Sequence, residues 1–307
     1  MKFFVATPSY NQLEWLRLCI ASVADQAVMG ARGSTSYVDD RVEVHHHVQD
    51  GGSNDGTREY LAKHLMESQK LKSKGYTFTY ESMTDNGMYD AINKGWKLAP
   101  DDVDFVAHLN CDEQYLPGAL KIIAAFFEKH QKADVVLADM IVVDKNGEYI
   151  CHRRSLKPYP SISKLWCAGY TATTFQRAVV VKEKNVFFDT KWKNIGDKAW
   201  YNDLHRAGCR FGMCHEFVSV FSDTGENLNW MEQGRTEGLK YMDEFLPFMR
   251  KRMGLLKFLS RYNTLRRIVK ERVHAPPRSY ELYLCGSKPR IVKNISKPSA
   301  LWSKKVW

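Results

Sequence analysis

Residues 42–57, VEVHHHVQDGGSNDGT, join a short alternating segment to a run of turn-forming residues. Alternation of apolar and polar side chains over 42–49 predicts a β-strand. The segment 50–57 predicts a loop, because Gly, Asn, Asp and Ser favour turns. Apolar residues at Tyr60, Leu61 and Leu65 then recur with helical spacing. The stretch therefore predicts a unit of strand, loop and helix.

The same unit recurs through the first 140 residues. Alternating strands and helices predict an α/β fold with an open, mostly parallel sheet flanked by helices. Ligands of such sheets bind at the carboxyl ends of the strands, where each polar cluster of this chain also falls. The further predicted strands are 3–6, 77–81, 105–109 and 135–138, and the further predicted helices begin near 13, 88, 117 and 197.

Composition narrows the class of protein. The 307 residues are 44% hydrophobic, which suffices for a globular core. No apolar stretch reaches the roughly 18 residues of a membrane span, and the first segment turns polar too early for a secretory signal. The seven cysteines form no CxxC pair, so neither a disulfide framework nor a zinc cluster is predicted. We expect a cytoplasmic protein.

Positive charge is concentrated at the end of the chain. From residue 250 onward there are 16 Lys and Arg and two acids, which gives this segment a net charge of +14. The whole chain has a net charge of +10, so residues 1–249 have a net charge of −4. Residues 246–269 combine apolar residues at helical spacing with basic residues, which predicts a basic amphipathic helix. Trp302 and Trp307 follow among further basic residues. This tail either packs on the rest of the protein or rests on anionic lipid.

Two polar clusters suggest ligand binding, and each has a structural alternative. The loop 50–57 either makes a tight turn with a capped helix, or holds a nucleotide through backbone NH groups and a carboxylate. The cluster 108–114 brings acids to the end of an apolar strand. Asp112 either caps the following helix or binds Mg²⁺ or Mn²⁺ that holds a diphosphate.

Taken together, four blocks resemble the inverting glycosyltransferases of family two, which have the GT-A fold. The blocks occur in the same order and at similar spacing. The resemblance covers about residues 1–230, and its most specific block is 85–95. The blocks read TPSYN at 7–11, QDGGSNDGT at 49–57, DNGMYDAINKG at 85–95 and LNCD at 109–112.

The resemblance implies a nucleotide site in the first half of the chain. It implies that Tyr10 stacks on the base and that Asp50 accepts a hydrogen bond from a pyrimidine NH, so that the pocket reads uracil or thymine. Gln49 replaces an acid that the family usually carries. The other residues implied at the site of the UDP- or dTDP-sugar are Thr7, Pro8, Ser9, Asn11, Gly51, Asp85 and Asn110.

Three residues of the helix after Asp85 are spaced so that they share one face. Asp90, Asn93 and Lys94 lie at i, i+3 and i+4, and the resemblance implies that they meet the donor sugar and phosphate. The alternative is an internal ion pair between Asp90 and Lys94.

A divalent cation is implied at the fourth block. Asn110 stands where the family's DxD signature has its first Asp, and Asp112 is implied as the ligand of Mn²⁺ or Mg²⁺. Glu113 follows, with no defined role.

An inverting transfer needs one carboxylate to take the proton of the acceptor hydroxyl. The resemblance implies that Asp197, at the start of a helix, is this base. Gly196 replaces the usual Glu, and Lys198 is expected to lower the pKa of Asp197. The alternative is that Asp197 only caps the helix, with Asp189 and Asp203 as other candidates for the base.

These implications define the expected enzyme. It moves a hexose from a UDP- or dTDP-sugar to a hydroxyl of a glycan or lipid-linked saccharide, with help from a metal. The expected division is a catalytic domain over 1–240, with a nucleotide-sugar half at 1–115 and an acceptor half at 116–240, and a basic extension over 241–307. Alternatives are a sugar-phosphate nucleotidyltransferase, and a membrane or nucleic-acid binding protein acting through its tail. We expect no nucleic-acid partner. We do expect peripheral contact with the cytoplasmic face of an inner membrane.

Overall fold

The segment 42–57 forms a strand and a loop, and a helix follows. A computed structural model describes residues 1–28, 42–167, 169–225, 232–247, 252–285, 287 and 289–301. Within these residues the predicted repeat is confirmed from β1 to β4. Its elements are β1 (Lys2–Ser9), α1 (Leu13–Val28), β2 (Glu43–Asp50), α2 (Thr57–Ser68), β3 (Tyr76–Ser82), α3 (Met88–Lys97) and β4 (Phe105–His108).

The second half is more mixed. The strand predicted at 135–138 extends to residue 144, because residues 140–143 continue its buried apolar run and pair with a neighbouring strand. The remaining helices are α4 (Ala119–Lys129), α5 (Pro160–Ser163), α6 (Ala178–Lys182), α7 (Gly196–Arg206), α8 (Glu232–Phe245) and α9 (Met253–Val273). The remaining strands are β5 (Glu113–Tyr115), β6 (Val135–Asp144), β7 (Tyr149–Arg153), β8 (Thr174–Arg177), β9 (Phe211–Asp223), β10 (Ser279–Leu282) and β11 (Ile291–Asn294).

One mixed sheet organises the described residues. Its strand order is β3-β2-β1-β4-β8-β6-β9-β5, with β7 paired to β6. Strands β1 to β4 are mutually parallel, and β6 pairs parallel with β9, while β8, β5 and β7 run antiparallel to their neighbours. The carboxyl ends of β1, β2, β3 and β4 therefore lie at one edge of the sheet.

Alternating residues of β1 face two separate cores. Phe3 and Val5 pack with residues of α1, α2 and α4, whereas Phe4 and Ala6 pack with residues of α3 and α7. All four side chains are fully buried. Both faces of the sheet are therefore covered, as the mostly parallel arrangement requires.

The end of the chain contributes a hairpin that docks on the sheet. Strands β10 and β11 pair antiparallel, and Tyr280 and Leu282 pack against apolar residues of β6 and β9. Arg290 makes a buried bidentate ion pair with Asp25 of α1, at 2.6 and 2.9 Å. This part of the basic segment is therefore built into the fold, while Trp302 and Trp307 lie outside the described residues.

Within the described part of the chain, no helix combines the length and apolar character needed to cross a bilayer.

Loss of the Arg290 ion pair should destabilise the protein. In Arg290→Ala the carboxylate of Asp25 stays largely buried without its cation, so we expect the free energy of unfolding to fall by about 3–5 kcal/mol. Lys293→Ala, on the same hairpin, removes a more exposed ion pair with Glu148 and should change it by at most about 1 kcal/mol. Urea denaturation followed by circular dichroism measures both. Equal effects of the two substitutions would contradict the assigned role of Arg290.

Candidate active site

Hydrogen bonds hold the loops after β1 and β2 together. The amide of Asn11 donates to Oγ of Ser53 (2.8 Å), and the amide of Asn54 donates to Oδ1 of Asn11 (2.9 Å). The amide of Gly51 donates to the carbonyl of Ser9 (2.8 Å). Asn11 has φ of 51°, a left-handed conformation that Asn tolerates better than most residues. The two loops thus form one rigid surface.

The aromatic ring of Tyr10 stands at the outer edge of this surface. Tyr10 is 63% exposed, so its ring is open to a planar ligand. A Cβ atom added at Gly51 would lie 2.9 Å from Oδ2 of Asp85 and 3.2 Å from the Tyr10 ring. A side chain at residue 51 would therefore have to displace the carboxylate of Asp85 or the ring of Tyr10, and Gly avoids both contacts. The loops after β1, β2 and β3 meet at this point.

Asp50 is the internal anchor of the second loop. Its Oδ2 accepts hydrogen bonds from the amide of Ser53 (3.0 Å) and from Oγ of Ser82 (2.6 Å), and its Oδ1 accepts one from Oγ of Ser53 (2.5 Å). The residue has no exposed surface. Contact with a nucleobase, as expected from the sequence, would require one of the covering side chains to move.

Two residues implied in the donor site point elsewhere. Thr7 is fully buried, and its Oγ1 lies 2.9 Å from Nε2 of His46, because alternation along β1 turns it into the core. Asn93 is also buried: its Nδ2 donates to the carbonyl of Phe188 (2.8 Å), and its Oδ1 accepts the amide of Phe188 (2.9 Å). Both ends of its side-chain amide are therefore bonded to the backbone, so we assign Asn93 a positioning role and no contact with the sugar donor.

The remaining two residues of the α3 triad do lie together. Nζ of Lys94 is 3.1 Å from Oδ2 of Asp90, so the ion pair considered as the alternative is formed. Burial raises the pKa of Asp90, but hydrogen bonds from the Asn86 amide and Lys94 outweigh it and lower the pKa overall. Both side chains are partly exposed, so the pair can still meet a ligand.

Pro8 and Ser9 complete the first block. Pro8 is buried at the end of β1, and Ser9 is 6% exposed, with no hydrogen-bond partner for its Oγ. Ser9 is therefore the buried hydroxyl of this block that is left to a ligand or a water molecule.

The loop after β4 gathers polar groups that lack partners. Oε2 of Glu113 accepts the amide of Asn110 (2.8 Å), whereas Oδ1 of Asn110 is buried without a hydrogen bond. Among the described residues, the carboxylate of Asp112 makes no hydrogen bond or ion pair with another side chain. Burial raises the pKa of Asp112 and of Glu113, and the charge of Asp112 raises that of Glu113 further.

This loop fits a divalent cation. Ionised carboxylates are unfavourable in a buried site, and a cation removes that penalty. Asp112 and the orphaned amide oxygen of Asn110 supply oxygen ligands of the kind that Mg²⁺ and Mn²⁺ prefer. No group of three His, Cys, Asp or Glu side chains that could hold a metal occurs in the described part of the chain. The cation would therefore need ligands from a bound substrate as well.

Asp197 lies in the first turn of α7 and is partly exposed. Its Oδ1 accepts the amide of Lys198 (2.7 Å), and its Oδ2 lies 3.5 Å from Sγ of Cys167. The N-cap of α7 is Ile195, with no side-chain capping bond. Burial raises the pKa of Asp197, and the charge of Lys198 only partly offsets this. Lys198 lowers the pKa of Asp197, as expected, but burial outweighs it and the pKa is raised overall.

Tyr89 connects α3 to α7. Its hydroxyl oxygen accepts the amide of Asp197 (3.2 Å), and a Cβ atom at Gly196 would lie 2.5 Å from its ring. The family's usual Glu at that position could not be accommodated beside this ring. Neither Tyr89 nor Cys167 is predicted at the site from the sequence, although Gly in place of Glu at 196 indicates a close neighbour.

Two cavities flank this connection. One of about 200 Å³ lies between the start of α3 and residues 190–194, and its lining includes Tyr89 and Asp90. The other, of about 390 Å³, lies beside α7 and is lined by both Asp189 and Asp203. Asp189 and Asp203, the other candidates for the catalytic base, therefore border a different cavity from the one that Asp90 lines.

A protein-family model and several solved structures match this chain. A family model described as Glycosyl transferase family 2 matches residues 4–216. The structure of TarS from S. aureus aligns with 19% identity and a TM-score of 0.54, covering 80% of this chain and 44% of the TarS chain. The TarS 1-349 structure in complex with UDP-GlcNAc has a TM-score of 0.56 at 19% identity, covering 80% and 73%.

A mannosyltransferase, PcManGT from Pyrobaculum calidifontis in complex with GDP-Man and Mn²⁺, aligns with 15% identity and a TM-score of 0.53. The alignment covers 79% of this chain and 63% of that one. At such identities the similarity is one of fold. No curated protein matches the chain.

The raised pKa values at the β4 loop predict a pH effect in metal-free protein. A carboxyl whose native pKa is raised loses its proton more readily when unfolded, so its contribution to stability declines as pH rises from about 4 through the raised value. Glu113→Gln keeps an oxygen acceptor for the Asn110 amide but cannot ionise. We expect its free energy of unfolding in EDTA to exceed that of wild type increasingly between pH 4.5 and 8. Glu128→Gln, on the exposed side of α4, is the control, and parallel curves for all three proteins would refute the prediction.

Proposed function

The chain belongs to glycosyl transferase family 2, and we propose that it moves a hexose from a UDP- or dTDP-sugar to a hydroxyl group of a glycan or lipid-linked saccharide. We propose inversion at the anomeric carbon, with Asp197 as the base. The family and its GT-A fold set aside the sugar-phosphate nucleotidyltransferase and the binding protein without catalytic activity. The observation that carries the proposal is the contact of Tyr89, in α3, with Gly196 and the backbone amide of Asp197 at the start of α7.

The donor is proposed to lie across the loops after β1 to β4. The exposed ring of Tyr10 offers a face for stacking of the base, and Asp50 fixes the loop on which the base would rest. The Asp90–Lys94 pair, of which Asp90 lines the smaller cavity, would contact sugar hydroxyls and phosphate. The complexes of TarS with UDP-GlcNAc and of the mannosyltransferase with GDP-Man support a nucleotide-sugar donor of some kind.

Asp112, assisted by Asn110, is proposed to hold Mn²⁺ or Mg²⁺. The cation would neutralise the charge that develops on the leaving diphosphate. The Mn²⁺ complex of the mannosyltransferase supports a divalent cation in this fold. Glu113 holds the loop in shape through the Asn110 amide, so its role is to position the ligands.

The transfer itself needs one proton acceptor. In our proposal, a carboxylate oxygen of Asp197 takes the proton of the acceptor hydroxyl as that oxygen bonds to the anomeric carbon, and the bond to the diphosphate breaks. The raised pKa of Asp197 makes it a better base than an ordinary carboxylate. The Lys198 and Tyr89 contacts keep the carboxylate and its backbone in place.

We further propose bacterial surface polysaccharide synthesis as the setting, on the cytoplasmic side of the inner membrane. The basic C-terminal segment supports this proposal. The identity of the sugar and of the acceptor depends on the side chains that residues 116–240 contribute to the binding pocket.

Donor turnover tests the proposal directly. With purified protein and a panel of UDP-, dTDP- and GDP-sugars, we expect slow Mn²⁺-dependent hydrolysis of one UDP- or dTDP-sugar, measured as nucleotide release. EDTA and Asp112→Ala should each abolish it, whereas Asp101→Ala, an exposed acid between α3 and β4, should not. Turnover of a GDP-sugar alone, or turnover that persists in EDTA, would refute the proposed donor or metal.

The base is tested with an acceptor present. Asp197→Asn keeps the shape of the side chain but cannot take a proton, so kcat should fall by about 10²- to 10⁴-fold with the nucleotide Kd unchanged. Asp203→Asn, on the same helix and beside the larger cavity, should retain kcat. Wild-type kcat should rise with pH through a value above the ordinary carboxyl pKa. A large fall in Asp203→Asn with little change in Asp197→Asn would reassign the base.

A further inference from the structure

Helix α9 turns its apolar face away from the protein. Exposed apolar residues recur at intervals of three or four, which aligns them on one side of the helix. Phe258, Leu265 and Val273 are 65%, 58% and 70% exposed. The outward apolar face, as we define it, consists of Leu255, Phe258, Tyr262, Leu265, Val269 and Val273.

The opposite face of α9 is polar and attaches the helix to the protein. Oε2 of Glu271 lies 2.8 Å from Nε2 of His152 and 3.2 Å from Nε of Arg154. Arg267 donates to the hydroxyl of Tyr170 (3.2 Å), and Asn263 is buried. An ordinary surface helix buries its apolar side and exposes its polar side. In α9 this arrangement is reversed, so the outward apolar face requires another partner.

The charges of α9 indicate what kind of partner fits. Glu271 is the single acid between Met253 and Val273, and it is turned inward. Lys257, Arg261 and Arg272 are exposed and flank the outward apolar face on one side. A second copy of the chain would bring like charges together, whereas anionic lipid headgroups would neutralise them.

The dimensions also fit a bilayer surface. A helix of 21 residues is about 30 Å long and can lie flat at the interface, with its apolar side chains among the acyl chains. We propose that the outward apolar face of α9 binds the surface of an anionic lipid bilayer.

Contacts connect the inward face of α9 to the candidate base. The hydroxyl of Tyr170, which Arg267 contacts, lies in the same loop region as Cys167, and Sγ of Cys167 lies 3.5 Å from Oδ2 of Asp197. The inward face of α9 therefore contacts the same segment that contacts Asp197. The inference rests on the proposed function in one respect: it selects a lipid-linked saccharide over a free glycan as the acceptor.

Vesicle binding by the full-length protein tests the proposal. The probes are sedimented vesicles of phosphatidylcholine alone or mixed with about one-third phosphatidylglycerol. We expect binding to the anionic vesicles only, weakening as salt is raised. Phe258→Ser/Leu265→Ser should reduce partitioning by about tenfold or more, because both side chains would insert. Lys257→Gln/Arg261→Gln should reduce it by a similar factor, at about fivefold per charge.

A control variant tests whether binding depends on the outward apolar face of α9 or on exposed apolar side chains in general. Met66→Ser/Leu98→Ser removes two apolar side chains that are also exposed, at 69% and 45%, but that lie on other elements, and should leave binding unchanged. All substituted residues are on the surface, so folding should be retained. Absence of binding by wild type, or full binding by Phe258→Ser/Leu265→Ser, would overturn the proposal. So would a wild-type dimer in light scattering that this double variant converts to monomer, with no vesicle binding.

Donor hydrolysis in solution distinguishes the two proposals. If Phe258→Ser/Leu265→Ser hydrolyses the donor normally but loses transfer to a lipid-linked acceptor in vesicles, the membrane role is supported. If wild type binds anionic vesicles but turns over no donor, the proposed function fails and the α9 surface stands.

Discussion

The Tyr89 contact with α7 is the constraint on which the candidate site depends. The ring occupies the space that a side chain at Gly196 would need, and the hydroxyl accepts the amide of Asp197. Close by, Asn93 uses both ends of its amide on the backbone of Phe188. Because these bonds are directional, Asp90 and Lys94 of α3 keep a fixed position relative to Asp197 of α7. The site is thus assembled from two halves of the chain by a few specific contacts.

Burial without partners distinguishes the β4 loop from the loops around it. Asp50 is as deeply buried as Glu113, but hydrogen bonds surround it, so its charge is stabilised by the protein alone. Among the described residues, the carboxylate of Asp112 makes no hydrogen bond with another side chain, and the amide oxygen of Asn110 is buried without a partner. The protein therefore stabilises the loop under the proposed nucleobase by itself. At the proposed diphosphate site it leaves negative charge that a cation would have to neutralise.

The reversed helix α9 follows the same principle on a larger scale. The polar groups of its inward face pair with the rest of the protein, for example Glu271 with Arg154, whereas its apolar side chains face outward. The C-terminal hairpin beyond it is anchored by Arg290 and Asp25. The basic segment thus divides into a docked part and a surface-facing part.

The sequence by itself determined the α/β fold and the edge of the sheet where the polar blocks meet, because strand periodicity and turn-forming residues are local properties. It also predicted the ion pair of Asp90 and Lys94 as an alternative, since i, i+4 spacing requires no tertiary information. Only the tertiary structure decided that Thr7 and Asn93 point into the core, that Tyr89 adjoins Gly196, and that burial outweighs Lys198 in setting the pKa of Asp197. It also decided which face of α9 is outward. These outcomes depend on partners distant in the chain, such as Phe188 and His152, which no local pattern identifies.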